Sequence, residues 1–468
     1  MILKQYYLGC LSQASYLVAD ESTGQAAVVD PRRDVDVYLR EARDLGLEIR
    51  HVLLTHFHAD FVSGHLELRR AVGADIRMGS KAEAEFPIVP MGDGESLSLG
   101  TVRLVALETP GHTPESVCWL VFDDARDRER PHAVLTGDTL FIGDVGRPDL
   151  MASVGVSSEF LAARLYDSLQ VKLLTLPDET LVYPGHGAGS MCGKSLSSET
   201  VSTLGIQRRL NPSLAPMTRE AFIDRITKDQ PAAPAYFAYD AVYNRRERPT
   251  LEENLARVLV PLSIERVLEL RDAGGQLLDT RDPSDFARGC VPGSVNIGLE
   301  GAFATWAGTL LDRERPVVIL AEPGREAESA LRLGRIGLDR VAGYLEGGPG
   351  ALARSHLRHA DRVSAEGLAA RLRGPDPPIV LDVRNAGERD AKHIPGSLHL
   401  PLDQLRTRLG DVPRRSALVA QCAAGYRSSM AASILRAEGW GEATDLAGGI
   451  QAWEEAGLPL VTPARPSK

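Results

Sequence analysis

Short apolar runs that break off in polar residues dominate the first half of the chain. IRHVLLTH, AVLTGDT and TLVYPGHG each carry such a run into Thr, His, Asp or Gly. Runs of this kind predict buried strands that deliver polar side chains from their ends. SEFLAARLYDSLQVKLL has apolar residues at helical spacing and predicts a helix. The polar, proline-marked stretch 228–256, which contains QPAAPAYFAYDAVYNRRERPT, reads as a connector or domain edge.

The second half repeats itself. LLDTRDPSDFARGCVPGSVNIGL (277–299) matches LDVRNAGERDAKHIPGSLHLPL (381–402). RPVVILAEPGREAESALRLGRIGL (315–338) then matches SALVAQCAAGYRSSMAASILRAEGW (416–440), and LEGGPGALA matches LAGGIQAWEEAG. Matching blocks in the same order imply a duplication, with a period too long for a solenoid. Strands alternating with helices in each copy imply two tandem α/β domains with parallel sheets.

The length of 468 residues fits two to four domains. The net charge of −10 comes with no basic block, so no nucleic-acid partner is expected. The opening MILKQYYLGCLSQASYLVAD lacks a basic start followed by an apolar run, and no apolar run approaches a membrane span. No signal peptide and no membrane partner are expected. Cys10, Cys118, Cys192, Cys290 and Cys422 are scattered and form no CxxC pair. That pattern suits free thiols in a reducing cytoplasm rather than a disulfide framework.

The densest candidate chemistry is THFHADFVSGH, where His56, His58 and Asp60 alternate after the strand HVLLT. Further strand ends carry His112 in TPGHTPES, Asp138 in LTGDTLF and His186 in YPGHG, each beside a glycine that permits a tight turn. Imidazoles and carboxylates gathered at strand ends point to a metal. The set THFHAD, PGHT, GDT and PGHG resembles the metallo-β-lactamase superfamily over about the first 245 residues. The resemblance implies an αββα sandwich with metal at the strand ends. In the two-zinc pattern of that superfamily, His56, His58 and His112 would hold one metal. Asp60, a further histidine and His186 would hold the other, with Asp138 bridging. Here Phe61 stands in place of the further histidine and offers no donor, which leaves poor ligation for a second zinc.

Two imidazoles and a carboxylate with open positions suit one non-haem iron(II). The chain resembles the persulfide dioxygenases of the superfamily. That resemblance implies one iron(II) per chain on His56, His112 and Asp138, with His58, Asp60 and His186 behind the ligands, orienting them. FIGDVGRPDL also resembles those enzymes, and Arg147 within it is a candidate clamp for a substrate carboxylate or else one half of a structural ion pair. Tyr183 is a further substrate-binding candidate.

AGSMCGKS comes close to a phosphate-binding loop, but Ala188 takes the place of its first glycine, so nucleotide binding is not expected. Cys192 in that loop belongs to the pattern of the fused dioxygenases and is a candidate catalytic sulfur carrier. The alternative is a buried inert thiol.

Near the end of the chain, Cys422-Ala-Ala-Gly-Tyr-Arg427 follows a strand and leads into a helix. Backbone amides, the helix dipole and Arg427 all favour a thiolate there. With DVRNAGERDAKHIPGS and AGGIQAW around it, the segment resembles the rhodanese (sulfurtransferase) family. The spacing of the loop argues for sulfane sulfur over phosphate. Cys422 and Arg427 are catalytic candidates, and Ala423, Gly425 and Tyr426 are substrate-binding ones. In the first copy Ala321 stands opposite Cys422 and Glu326 opposite Arg427, so that copy reads as degenerate.

The expected organisation is α/β throughout: a metallo-β-lactamase-like domain over 1–245, a degenerate rhodanese domain over 258–355 and an active one over 362–463. The expected function is oxidation of a low-molecular-weight persulfide, glutathione-like or carried by coenzyme A, by dioxygen to sulfite. Cys422 would then pass sulfane sulfur to sulfite and give thiosulfate, a sulfide-detoxifying sequence. A cytoplasmic homo-oligomer is expected. The alternative is a zinc-dependent thioester hydrolase of the glyoxalase II type with an accessory sulfurtransferase. A non-catalytic sulfur-carrier scaffold fits the degenerate copy alone.

Overall fold

The computed structural model describes residues 1–150, 155–194, 196–228, 230, 233–414 and 417–463. The chain divides into two compact units. One comprises 1–254 with 334–337, and the other comprises 255–333 with 338–468.

The first unit holds two six-stranded sheets. Strands Ile2–Leu8, Gln13–Ala19, Gln25–Val29, Glu48–Leu53, Asp75–Gly79 and Val89–Met91 form one sheet in chain order. The other sheet runs Ser202–Thr203, Leu181–Pro184, Ala133–Gly137, Val117–Asp123, Val102–Glu108 and Ser96–Ser98. Several strands are buried on both faces, and this explains their unbroken apolar runs. Along Gln13–Ala19, Ala14, Tyr16 and Val18 join the core between the sheets, while Leu17 and Ala19 join the core under the helices. Along Val117–Asp123, Val117, Trp119 and Val121 face the inter-sheet core, and Cys118, Leu120 and Phe122 face the opposite helical layer. The period of two thus sorts each strand into two cores, and the layers are helix, sheet, sheet, helix, the αββα sandwich.

The helix foreseen over SEFLAARLYDSLQVKLL forms as Ser158–Asp167, capped by Ser157, then widens into a π turn and tightens into a 3₁₀ turn through Thr175. The stretch read as a connector or domain edge carries the boundary between the two units at 254/255, but it also forms two helices, Tyr236–Tyr243 and Leu251–Val258. Its aromatic residues Tyr236 and Phe237 are buried, so packing overrides the proline signal.

The second unit contains two five-stranded parallel sheets of identical order. The first runs Pro261–Leu262, Val341–Leu345, Val317–Leu320, Gln276–Asp279 and Ser294–Asn296. The second runs Arg362–Val363, Thr444–Leu446, Leu418–Gln421, Ile379–Asp382 and Leu398–His399. The duplication is therefore structural as well as textual. Its Asp-x-Arg motifs explain themselves: Arg281 folds back on Asp279 and reaches the carbonyl of Gly289, and Arg384 does the same with Asp382 and Lys392. No helix among the described residues is long and apolar enough to cross a membrane.

Candidate functional site

Five of the six sequence-predicted donors sit just past strand ends of the first unit, and His112 follows Val102–Glu108 in the same way. His56, His112 and Asp138 bring one donor atom each within 4.8 Å of one another, and so do His58, Asp60 and His186. All six are buried. Gly185 allows Asp138 to come close, since a Cβ there would stand 2.7 Å from Asp138 Oδ1.

Hydrogen bonds behind the rings fix which nitrogen faces inward. Thr55 Oγ1 donates to Asp30 Oδ2, so it accepts from His56 Nδ1 at 3.0 Å. His112 Nδ1 donates to the carbonyl of Arg147 at 2.8 Å, and His186 Nδ1 to that of Ser12 at 3.1 Å. Each Nε2 is left with a lone pair for a cation. His186 Nε2 lies 3.4 Å from Asp60 Oδ2 and 3.5 Å from Asp138 Oδ1, and His112 Nε2 lies 3.6 Å from Asp138 Oδ2. His58 Nε2 is 3.0 Å from Asp30 Oδ1, but at an angle that makes no hydrogen bond.

The electrostatics are those of a cation site. Both oxygens of Asp138, Oδ1 of Asp60 and Nε2 of His186 are buried without a hydrogen-bond partner. An unpaired buried carboxylate costs several kcal/mol, about what a bound cation offsets. Burial, reinforced by His58, His112 and His186, drives the basicity of His56 far down. Burial also pushes the Asp60 carboxyl up. In His186 burial works downward, but Asp138 and Asp60 outweigh it and the net shift is upward. The donor set therefore fits a metal.

Phe61 is buried with its ring 4.3 Å from that of His58 and supplies no donor. Cys192 offers its sulfur within 4.8 Å of donor atoms of Asp138 and His186. Burial, with Asp60 and Asp138 nearby, holds it strongly toward the thiol, a bias that a cation at those carboxylates would reverse.

Two substrate-binding candidates, Arg147 and Tyr183, have partners within the fold. The Arg147 guanidinium forms a two-pronged pair with Asp149, 2.7 Å on each side, and reaches the carbonyl of Met191. It is 1% exposed, and its backbone N–H donates to the carbonyl of Cys192. It braces the Cys192 loop and the ring of His112, and of its two readings the ion pair, with Asp149, is the one on view. Tyr183 packs against the inter-sheet core, edge-on to Tyr16 at 5.6 Å.

The sequence did not reveal what holds the metal loop. Asn244, fully buried, donates to the carbonyls of His58 and Phe61 and accepts from the N–H of Ser63. Tyr236 donates to the carbonyl of Asp60. The only available signal was aromatic content unusual for a linker, YFAYDAVYN.

In the second unit Cys422 is 1% exposed, and the N–H of Gly425 donates to its sulfur at 3.1 Å. Gly425 has φ +95, and a Cβ there would stand 2.9 Å from Arg362, so the turn requires glycine. Ala423 anchors the loop through its carbonyl, which accepts from Gln451. Arg427 pairs with Glu388 at 2.7 Å on both prongs. Tyr426 points toward the first copy and donates to the carbonyl of Gly298 at 2.7 Å. In the first copy Ala321 occupies the position of the cysteine at the end of Val317–Leu320.

Comparison with known proteins gives two family matches: the metallo-beta-lactamase superfamily over residues 8–186, and the rhodanese-like domain over 263–352 and 364–456. Hydroxyacylglutathione hydrolase (cytoplasmic) of Arabidopsis thaliana is 37% identical over 39% of this chain and 67% of its own. The mitochondrial persulfide dioxygenase ETHE1 of Bos taurus is 30% identical over 49% of this chain and 81% of its own. Among solved structures, a metallo-beta-lactamase from Staphylococcus aureus is 31% identical, with TM-score 0.65, covering 73% of this chain and 98% of that one.

Proposed function

The chain belongs to the metallo-β-lactamase superfamily and carries two rhodanese-like domains behind that fold, and from that membership we propose that it is a bifunctional sulfur-oxidising enzyme. The persulfide dioxygenase occupies 1–245, the degenerate rhodanese copy 258–355 and the sulfur-transferring copy 362–463. The observation that carries this reading is the buried group of His56, His112 and Asp138, beside a second position where Phe61 supplies no donor. Two imidazoles and one carboxylate suit iron(II) better than a pair of zincs. Iron held there by His56, His112 and Asp138 would supply the activation of dioxygen toward the terminal sulfur of a persulfide.

The chain's own residues do the rest. Thr55 with Asp30, and the carbonyls of Arg147 and Ser12, keep protons on the outer nitrogens of His56, His112 and His186. Phe61 and Phe141, both buried, restrict water at the site. Cys192 is the group proposed to meet the sulfane sulfur. The overall change is RSSH + O2 + H2O → RSH + H2SO3, where R is a glutathione-like or coenzyme A carrier.

At the second site Cys422 attacks the sulfane sulfur of RSSH and expels RS⁻, becoming a cysteine persulfide. Sulfite then attacks the outer sulfur, thiosulfate leaves, and the Cys422 thiolate is restored. The N–H of Gly425 and the start of the helix Tyr426–Ala437 stabilise that thiolate. The product of the first site is thus the acceptor at the second. The cytoplasm and a homo-oligomeric state complete the proposal.

Cys422→Ser tests the coupling. Persulfide-dependent oxygen uptake should persist while the product moves from thiosulfate to sulfite. An unchanged product ratio removes the role of Cys422.

A further inference from the structure

The helix that follows the active loop is buried almost all round. From Ser428 to Leu435 every residue of Tyr426–Ala437 is buried, and the sequence YRSSMAASILRA puts small residues on several faces. A helix buried on all sides needs cover on all sides. Its own sheet covers one side, and the degenerate copy covers another.

The contact is specific. Asn296, at the end of the edge strand Ser294–Asn296, is 1% exposed and uses its polar groups in two directions. Its side-chain amide donates to the carbonyls of Asp279 and Arg281 within the degenerate copy, at 3.1 and 2.9 Å. Its side-chain oxygen accepts from Ser429 at 2.9 Å, and its backbone N–H donates to Ser433 at 3.0 Å. Both serines lie on the helix, one turn apart. At the start of the same helix, the Tyr426 hydroxyl donates to the carbonyl of Gly298, and its ring lies within van der Waals reach of Gly298 and Gly301. Tyr426 is also the residue immediately before Arg427 in the cysteine loop.

We propose that the degenerate copy is a working part of the sulfur-transfer site, with Asn296 and the 298–301 turn as positioning elements for the loop that cradles Cys422. The proposal rests on the sulfurtransferase reading of that loop. Loss of a nucleophile at Ala321 left this copy free of chemistry of its own. What it keeps is a buried polar clamp on the helix whose first turn faces Cys422. Amides and a helix dipole act on a sulfur only while aimed at it, because their effect fades within the first turn. A small rotation of this helix would carry Gly425 and its N–H away from the sulfur.

The test uses the full chain with Tyr426→Phe, which removes one oxygen and keeps the ring, and Asn296→Ala. Thiosulfate-to-cyanide sulfur transfer should lose on the order of tenfold in kcat. The KM for thiosulfate should stay within about twofold. Alkylation of Cys422 by iodoacetamide, followed on its peptide by mass spectrometry, should slow in parallel, while oxygen uptake at the first domain stays at the parent value. Tyr426→Phe decides the matter where Asn296→Ala lowers stability. The proposal is overturned if Cys422→Ser abolishes transfer in the parent background but Tyr426→Phe keeps the parent kcat and alkylation rate. Transfer that survives Cys422→Ser would sink the sulfurtransferase reading itself, and the positioning role with it.

Discussion

His112 Nε2 lies 3.6 Å from Asp138 Oδ2, with both residues buried and neither oxygen of Asp138 receiving a hydrogen bond. Two buried acceptors held that close repel unless a cation lies between them. Asp138→Asn removes the charge and keeps the shape. It should lower iron affinity by more than the roughly 10–100-fold typical of losing an orienting partner, because the ligand itself is lost. Metal analysis after desalting checks this, and parent-level iron in the variant would remove Asp138 from the site.

In the proposed reading, Phe61 separates one metal from two. Its ring stands beside His58 and 6.5 Å from the ring of His186. Phe61→His would restore a donor next to Asp60 and His186. Zinc-loaded protein should then rise from about one metal per chain to about two, as a completed ligand set requires. A parent that already binds two zincs tightly would show that Phe61 does not limit the second position.

The donors were legible because they end strands whose register is fixed by two cores, so THFHAD, GDT and PGHG had to converge. Cys422 was legible for the same reason. What supports them was not. Asn244 acts on a loop more than 180 residues away, and one asparagine in a proline-marked stretch carries no sign of that partner. Arg147 shows a different limit. Asp149 was visible two positions on, but the backbone decides whether the guanidinium turns to it or to a ligand. The partner of Tyr426 was not legible, because the carbonyl it binds belongs to the other copy.

Glu388 makes the second unit sensitive to acid. Partial burial pushes its carboxyl up, but the paired Arg427 outweighs this and holds it below the usual range. The pair's stabilisation is therefore fully present above the ordinary glutamate value of about 4.3 and is lost as pH falls from there through the lowered one. Thermal melts in mild acid should show the parent losing stability more steeply than Glu388→Gln. Parallel pH profiles would mean that the pair adds nothing to folding.

The central claim is tested most directly by oxygen uptake of the iron-loaded chain on addition of glutathione persulfide. The account predicts about one O2 for every two persulfides in the parent, where the second sulfane sulfur goes into thiosulfate, about one O2 per persulfide in Cys422→Ser, and no uptake in His56→Ala. Thioester hydrolysis without oxygen uptake, by protein holding two zincs, would contradict it.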